Sequence, residues 1–486
     1  MRRTESYTAP GVSRRKRPDI RLIAAGVLLS LLVHRPAGAY DFEVSARTEG
    51  HGYQLRRYEG NSIAFLNRRR ITQYLGVRIF NLLGDGHQPR GATPPPLLYL
   101  HGLMRFDTDF GGYVQPSVPV REIENNQFDL MLGALEGRNL LRGWLDFTLG
   151  RQYDGELLDF FAFDGLRVRL CLPKRLFIES FFGAQVDREH PFSAAVFETD
   201  GTSGDASDDA IAPTFGLAGG VEDLAGFALR VAYRGTASKA PAGLVSETAT
   251  EGEPFWGIDQ ELVFVSLSYR VPVLETQPLF GMRYNILTDS FDDVQVGLSQ
   301  RVGEHQNVRL ELLRSRPHFD GDSIFNLFAV EPWTEVAGSY ALRLLGRRLE
   351  LTARCGYRRF FHDEEEGDSA EPDAISAGLG ARWRSPRLAA DLDLHYVGGL
   401  GTTTAGGDAF GQWTVVRWLA LEGRVSLIAS DDSAYSDDVT NFGLQVGGQL
   451  RLFRGVKIHV LLEDNISRLQ RSALRLLGVL DLEFAP

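Results

Sequence analysis

The sequence predicts an all-β chain closed into a transmembrane antiparallel barrel of about 22 strands, within a range of 18 to 22. Three features carry that reading. From Tyr40 onward, segments of about ten residues alternate apolar and polar side chains with period two, the signature of strands with two unlike faces. Short turns take turns with longer polar connections, the order expected of a barrel with tight hairpins at one rim and loops at the other. No run of about 20 apolar residues is present to cross a membrane as a helix; the longest predominantly apolar run without charge, Leu22 to Val33, is about 12 residues long.

That run belongs to the export signal. It follows the basic stretch Arg14, Arg15, Lys16, Arg17 and Arg21 and precedes Ala37-Gly38-Ala39, small residues suited to signal-peptide cleavage before Tyr40. Residues 1–39 are expected to be a signal peptide and 40–486 a single barrel domain. Losing eight basic and two acidic residues moves the formal charge from -11 to -17. An acidic chain lacks the basic surface that displaces counterions from nucleic acid.

The strands follow in order. Leu166-Arg167-Val168-Arg169-Leu170 must place its aliphatic side chains on one face and its arginines on the other. Such a strand fits a soluble sandwich as well as a membrane barrel, so the connections have to decide. The first strand is expected over Asp41 to Gln54, the second over Arg70 to Leu83 and the third over Leu97 to Phe106. Short turns are expected at Glu136 to Asn139, Pro173 to Arg175, Glu222 to Ala225, Pro272 to Thr276, Gly303 to Gln306, Gly346 to Arg347, Ser385 to Arg387 and Phe453 to Gly455. Long or polar gaps are expected at Asp187 to Ile211, Thr236 to Ile258, Pro317 to Trp333, Phe360 to Asp373, Gly398 to Gly407 and Ser430 to Thr440. An even strand number puts both termini at the short-turn rim. No blade-length self-similarity supports a propeller.

Gly143-Trp144-Leu145-Asp146-Phe147-Thr148-Leu149-Gly150-Arg151-Gln152 is similar to the Gly-Arg/Lys-Gln strand ends of porins, and the final strand runs to Phe484. With the pattern of the whole region after residue 39, these resemble porin-like outer-membrane barrels of Gram-negative bacteria. The resemblance implies a barrel among outer-membrane lipids and lipopolysaccharide, inserted by the barrel-assembly machinery through the strand ending at Phe484. It also implies a passage or structural role rather than catalysis. TonB-dependent transporters of similar strand number carry a plug ahead of the barrel, whereas alternation here starts at Phe42-Glu43-Val44-Ser45-Ala46, so no plug is expected.

Taking the apolar positions as lipid-facing sends the others to the lumen. The pore candidates are Arg78, Arg167, Arg169, Arg230, Arg234, Arg283, Arg309, Arg354, Arg358, Arg382, Arg384, Asp391, Asp393, Arg424 and Arg451. With Arg270, Arg301, Lys457 and Arg475 against Asp129, Asp146, Glu179, Glu311, Glu350, Glu422, Glu463, Asp481 and Glu483, positives exceed negatives by about six. Two meanings stand open: pairing across strands that stiffens the wall, or a bias toward anionic solutes, small or polymeric. The acidity gathers instead in the gaps, at Asp200 to Asp209, Asp363-Glu364-Glu365-Glu366 and Asp431-Asp432. Asp363, Glu364, Glu365 and Glu366 are weak candidates for a divalent cation, lacking the spacing of a calcium loop. A non-conducting adhesion barrel with ligand-binding loops is the alternative function.

No Gly-x-Ser-x-Gly elbow, His-Glu-x-x-His or Cys-x-x-Cys occurs, His101-Gly102-Leu103 lacks the glycines of an oxyanion loop, and His395 and His459 alternate inward. No enzyme activity and no cofactor are expected. Cys171 and Cys355 fall on opposite faces and are expected to stay unpaired.

Overall fold

A computed structural model describes residues 41–59, 62–82, 97–109, 112–113, 126–156, 159–186, 212–238, 257–316, 332–361, 373–399, 402–432, 439–467 and 473–484. Residues 1–39, expected to be a signal peptide, and the acidic clusters at 200–209 and 363–366 lie outside the described residues.

The chain forms one closed antiparallel barrel of 22 strands. In order these are β1 Asp41–Glu59, β2 Ser62–Phe80, β3 Leu97–Asp109, β4 Asn126–Asn139, β5 Leu145–Glu156, β6 Asp159–Leu172, β7 Leu176–Gln185 and β8 Pro213–Leu224. Next come β9 Phe227–Ser238, β10 Gly257–Tyr269, β11 Thr276–Asn285, β12 Ser290–Val302, β13 Gln306–Ser315, β14 Trp333–Leu344 and β15 Leu349–Phe360. The wall is completed by β16 Asp373–Arg384, β17 Leu388–Gly399, β18 Thr402–Val416, β19 Leu419–Asp432, β20 Val439–Phe453, β21 Val456–Ser467 and β22 Ala473–Phe484. A two-residue strand, Gly112–Tyr113, pairs with β2 above β3. Each strand pairs with its chain neighbours, and β1 pairs with β22 from Val44 opposite Phe484 to Tyr53 opposite Arg475. That last ladder leaves no edge.

Period-two alternation now has a direction. In β7, Leu176, Ile178 and Phe182 are exposed on the outer face, while Phe177, Glu179 and Phe181 are buried on the inner one. Around the circumference the same outer face exposes Leu149, Leu217, Leu310, Leu379, Leu392, Val446 and Leu476. A continuous apolar belt of this extent is incompatible with water and fits a bilayer, where a closed sheet also satisfies every wall hydrogen bond.

The connections differ in part from the sequence reading. β1 and β2 run on to Glu59 and from Ser62, so the gap expected after Gln54 is a two-residue connection at 60–61. The gap expected over Gly398 to Gly407 is overturned: β17 continues to Gly399 and β18 begins at Thr402. Connections 157–158 and 286–289 at the same rim are also short. Beyond the apolar zone a hairpin can continue on backbone hydrogen bonds alone, with no apolar face to mark it in sequence. The turn expected at Glu136 to Asn139 instead belongs to β4, and the chain reverses at Leu140–Trp144.

The Gly150-Arg151-Gln152 segment is a structural joint. Gly150 has φ +118° and lies against the Gly133 carbonyl, where a Cβ would collide. Gln152 turns inward and donates from Nε2 to the Gly165 carbonyl at 3.1 Å. Arg151 turns outward, its side chain 2% exposed, and grips Asp164 at 2.7 and 2.5 Å while donating to the Leu130 carbonyl at 2.6 Å. A charge on the apolar face is thus tolerated as a bidentate pair.

Asp164→Leu should strand the Arg151 guanidinium and destabilise the folded barrel by about 2 to 4 kcal/mol. Urea unfolding in lipid vesicles reads the loss, and adding Arg151→Leu should restore most of it.

Candidate functional site: the barrel lumen

The inner face is assigned by register, because residues directly opposite each other on antiparallel neighbours share a face. One inner row can be followed strand by strand: Arg343 opposite Glu350, then Arg382, Asp391, Phe410, Arg424, Gln445, Glu463 and Arg475. It starts one residue from the short-turn end of β14 and reaches the third residue of β22, near the opposite rim. Strand tilt turns a row of hydrogen-bonded neighbours into a spiral, so this row climbs most of the wall height. Its charges alternate in sign.

Most of these charges are paired. Arg343 meets Glu350 at 2.8 Å, Arg382 and Arg384 meet Asp391 at 3.0 and 2.9 Å, Arg424 meets Asp408 at 2.6 Å, and Arg475 approaches Glu463 at 3.8 Å. In adjoining rows Arg354 meets Asp393 at 2.6 Å, Arg358 meets Glu335 at 2.6 Å and Arg309 meets Glu311 at 2.9 Å. Arg354 reaches across β16 to β17 because Gly378 lies between them; a Cβ there would strike its guanidinium. Ala337, Gly356 and Ser376 likewise keep this wall thin, and Ala337 and Ser376 line a groove with Arg309, Glu335, Arg354 and His395.

The geometry revises the arginine surplus. Glu43, Glu49, Asp107, Glu136, Asp154, Glu222, Asp293, Glu335 and Asp408 share the inner face with the acids recognised in sequence, and with Arg47, Arg70, Arg105, Arg138 and Arg343 also inward the surplus nearly vanishes. A different asymmetry replaces it. In the pairs of this wall the guanidinium is the more exposed partner: 58% against 31% for Arg382 and Asp391, and 54% against 26% for Arg424 and Asp408. The same order holds for Arg309, Arg343, Arg354, Arg358 and Arg475. Short carboxylates stay against the backbone while long guanidinium stems carry the positive end into the lumen.

The opposite wall is built otherwise. Phe161, Phe163, Phe177, Phe181 and Phe264 on β6, β7 and β10 are all buried on the inner face, with the Phe163 and Phe181 rings 4.8 Å apart. Arg169 stacks over Phe177 at 4.0 Å and Arg234 over Phe161 at 4.3 Å, while Arg230 meets the buried Glu179 at 2.9 Å. Arg167 contacts Asp154 at 3.0 Å and Arg283 contacts Asp293 at 2.6 Å. These five arginines, predicted as pore-lining, are mostly covered and serve as the packing of a second, inward core. The sequence held the signal: Phe161, Phe163, Phe177 and Phe181 fall in phase with Arg167, Arg169 and Glu179, on the face that apolar residues were expected to avoid.

The remaining predicted residues are placed as follows. Arg78 faces Glu43 at 3.6 Å, and Arg451 lies opposite Lys457 near the short-turn rim. His459 contacts Glu422 at 2.5 Å, and His395 lies 3.9 Å from Asp393. His51 and His101, not singled out on strands, also face inward. Cys171 is an inner-face residue beside Asp146, and Cys355 sits on the outer face opposite Gly338; neither is bridged.

The chain is similar to the crystal structure of OccAB4 of Acinetobacter baumannii, at 7% identity and a TM-score of 0.40, covering 93% of this chain and 100% of that one. It is similar to OpdK of Pseudomonas aeruginosa solved with vanillate, at 10% identity, a TM-score of 0.43 and coverage of 92% and 99%. It is also similar to the translocation pore of the P pilus usher PapC, at 8% identity, a TM-score of 0.44 and coverage of 91% and 99%. No family model and no curated protein matches the chain. The closed wall, apolar outside and charged inside, is that of a membrane-type antiparallel barrel.

Phe163→Ala should open a cavity in the inward core and cost about 3 to 5 kcal/mol, as large-to-small changes in packed aromatic sites do. Equilibrium unfolding measures it, and an unaltered midpoint would show that the aromatic wall carries no packing load.

Proposed function

We propose that the protein is an outer-membrane channel for small polar solutes, with a preference for anions. The supporting observation is the thin wall of β13–β22, where arginine tips stand further into the lumen than the carboxylates that hold them. An anion travelling this wall meets guanidinium groups first, each already oriented by its carboxylate and so requiring little reorganisation. The recessed acids keep the net field modest. A modest field attracts counterions without trapping them, as conduction requires.

The covered wall of β6–β10 contributes rigidity instead. Its phenylalanines and stacked arginines hold one side of a wide barrel in shape, leaving the charged spiral as the surface that solutes meet. Arg354, Arg358, Arg382, Arg384 and Arg424 are assigned to solute contact, with Asp391, Asp393, Asp408 and Glu335 orienting them.

Planar-bilayer recording tests both parts. The folded barrel should conduct, and its reversal potential in a salt gradient should report anion preference. Replacing Arg354, Arg358, Arg382 and Arg384 by Gln uncovers the acids behind them, so selectivity should swing toward cations rather than only fade. A folded barrel that passes no ions overturns the channel; an unchanged reversal potential in the variant overturns the assigned residues.

A further inference from the structure

The short-turn rim, where β1 begins and β22 ends, has a composition that solute passage does not explain. Its turns present exposed basic residues at Arg142, Lys174, Arg270, Arg347, Arg387, Arg417 and Arg454, and none of these has an ion pair among the described residues. Acids at the same rim are largely occupied, Asp223 by Arg175 at 2.6 Å and Glu275 by Arg301 at 3.4 Å, while Glu304 is not. The same turns expose large apolar side chains: Leu141, Trp144, Val273, Leu345, Trp418 and Phe453. Arginine beside tryptophan or leucine in one tight turn is the chemistry of a bilayer interface.

The backbone supplies an independent observation. Arg142 has φ +66°, Lys174 +61° and Arg347 +69°. Left-handed turn positions favour Gly, Asn and Asp, which fold there with less strain. With Arg175 at +59°, basic residues occupy four of them regardless, so turn geometry is not what selects the side chain.

We propose that this rim binds anionic phospholipid headgroups, forming a basic collar that seats the barrel on a negatively charged leaflet. The basic turns follow β4, β6, β10, β14, β16, β18 and β20, and so are spread around the barrel rather than gathered on one side. A protein partner would need a local patch. An annulus of lipid needs a ring, and negative headgroups attract each Lys or Arg placed at their level.

The test uses the purified, folded barrel in vesicles with spin-labelled phosphatidylglycerol or phosphatidylcholine as probe. Phosphatidylglycerol should associate about five-fold more strongly at low salt, the preference of one Lys or Arg at an anionic surface, and less as salt rises. The variant Arg142→Asn, Lys174→Asn, Arg347→Asn, Arg417→Gln, Arg454→Gln should lose that preference. It should fold at least as well as the parent, since Asn suits the left-handed turns, with circular dichroism and heat-shifted gel mobility as the check. Removing the five charges one at a time should lower the preference in small steps. Equal association of both lipids with the parent overturns the proposal, as does a variant that keeps the preference or a loss that falls on one turn alone.

Discussion

The structure depends on the requirement that every backbone amide and carbonyl inside the apolar layer find a partner. Each orphaned group there costs several kcal/mol, about as much as a sizeable part of a domain's whole stability. A sheet meets that requirement only by closing, and the ladder from Val44–Phe484 to Tyr53–Arg475 is the closure. Once closed, the wall has one face for lipid and one for the lumen, and a strand cannot shift by one residue without exchanging them. The exposed Leu310 and Leu379 and the inward Arg309 and Arg382 are consequences of one register.

That register also decides what the charges do. An isolated guanidinium on the inner face would be free to move; set opposite a carboxylate at cross-strand distance, it becomes part of the wall. Such pairs in wet surroundings contribute little stability each, about 0 to 1 kcal/mol. Their effect is geometric. Holding Asp391 between Arg382 and Arg384, or Asp393 against Arg354 across Gly378, fixes where the positive ends stand. Arg151 with Asp164 shows the same pair under the opposite condition, turned toward lipid and closed bidentately so that neither charge is left alone.

Alternation made the barrel legible in sequence, since Leu166 to Leu170 states its two faces in five residues. What alternation could not show is the partner across the strand. Asp408 and Glu335 were passed over because nothing near them in sequence marks them as inward, whereas their registers with Asp393 and Arg358 do. The hairpin of β17 and β18 was read as a gap for a related reason: Gly398 to Gly407 has glycine and threonine in place of an apolar face. Its ladder continues where the outer face no longer needs to be oily. The inward phenylalanines were hidden by the assumption that apolar means outward.

Two walls of different make follow from these choices, and the difference has a physical reason. A 22-strand circumference encloses more space than inward side chains can fill from all sides. Filling one side with Phe161, Phe163, Phe177, Phe181 and Phe264 gives that arc a core of its own, packed by stacked arginines, and such a core resists the flattening that a wide, thin sheet allows. The facing arc can then be built from glycine, alanine, serine and paired charges without collapsing inward. Stiffness on β6–β10 is therefore what permits the thin wall of β13–β22.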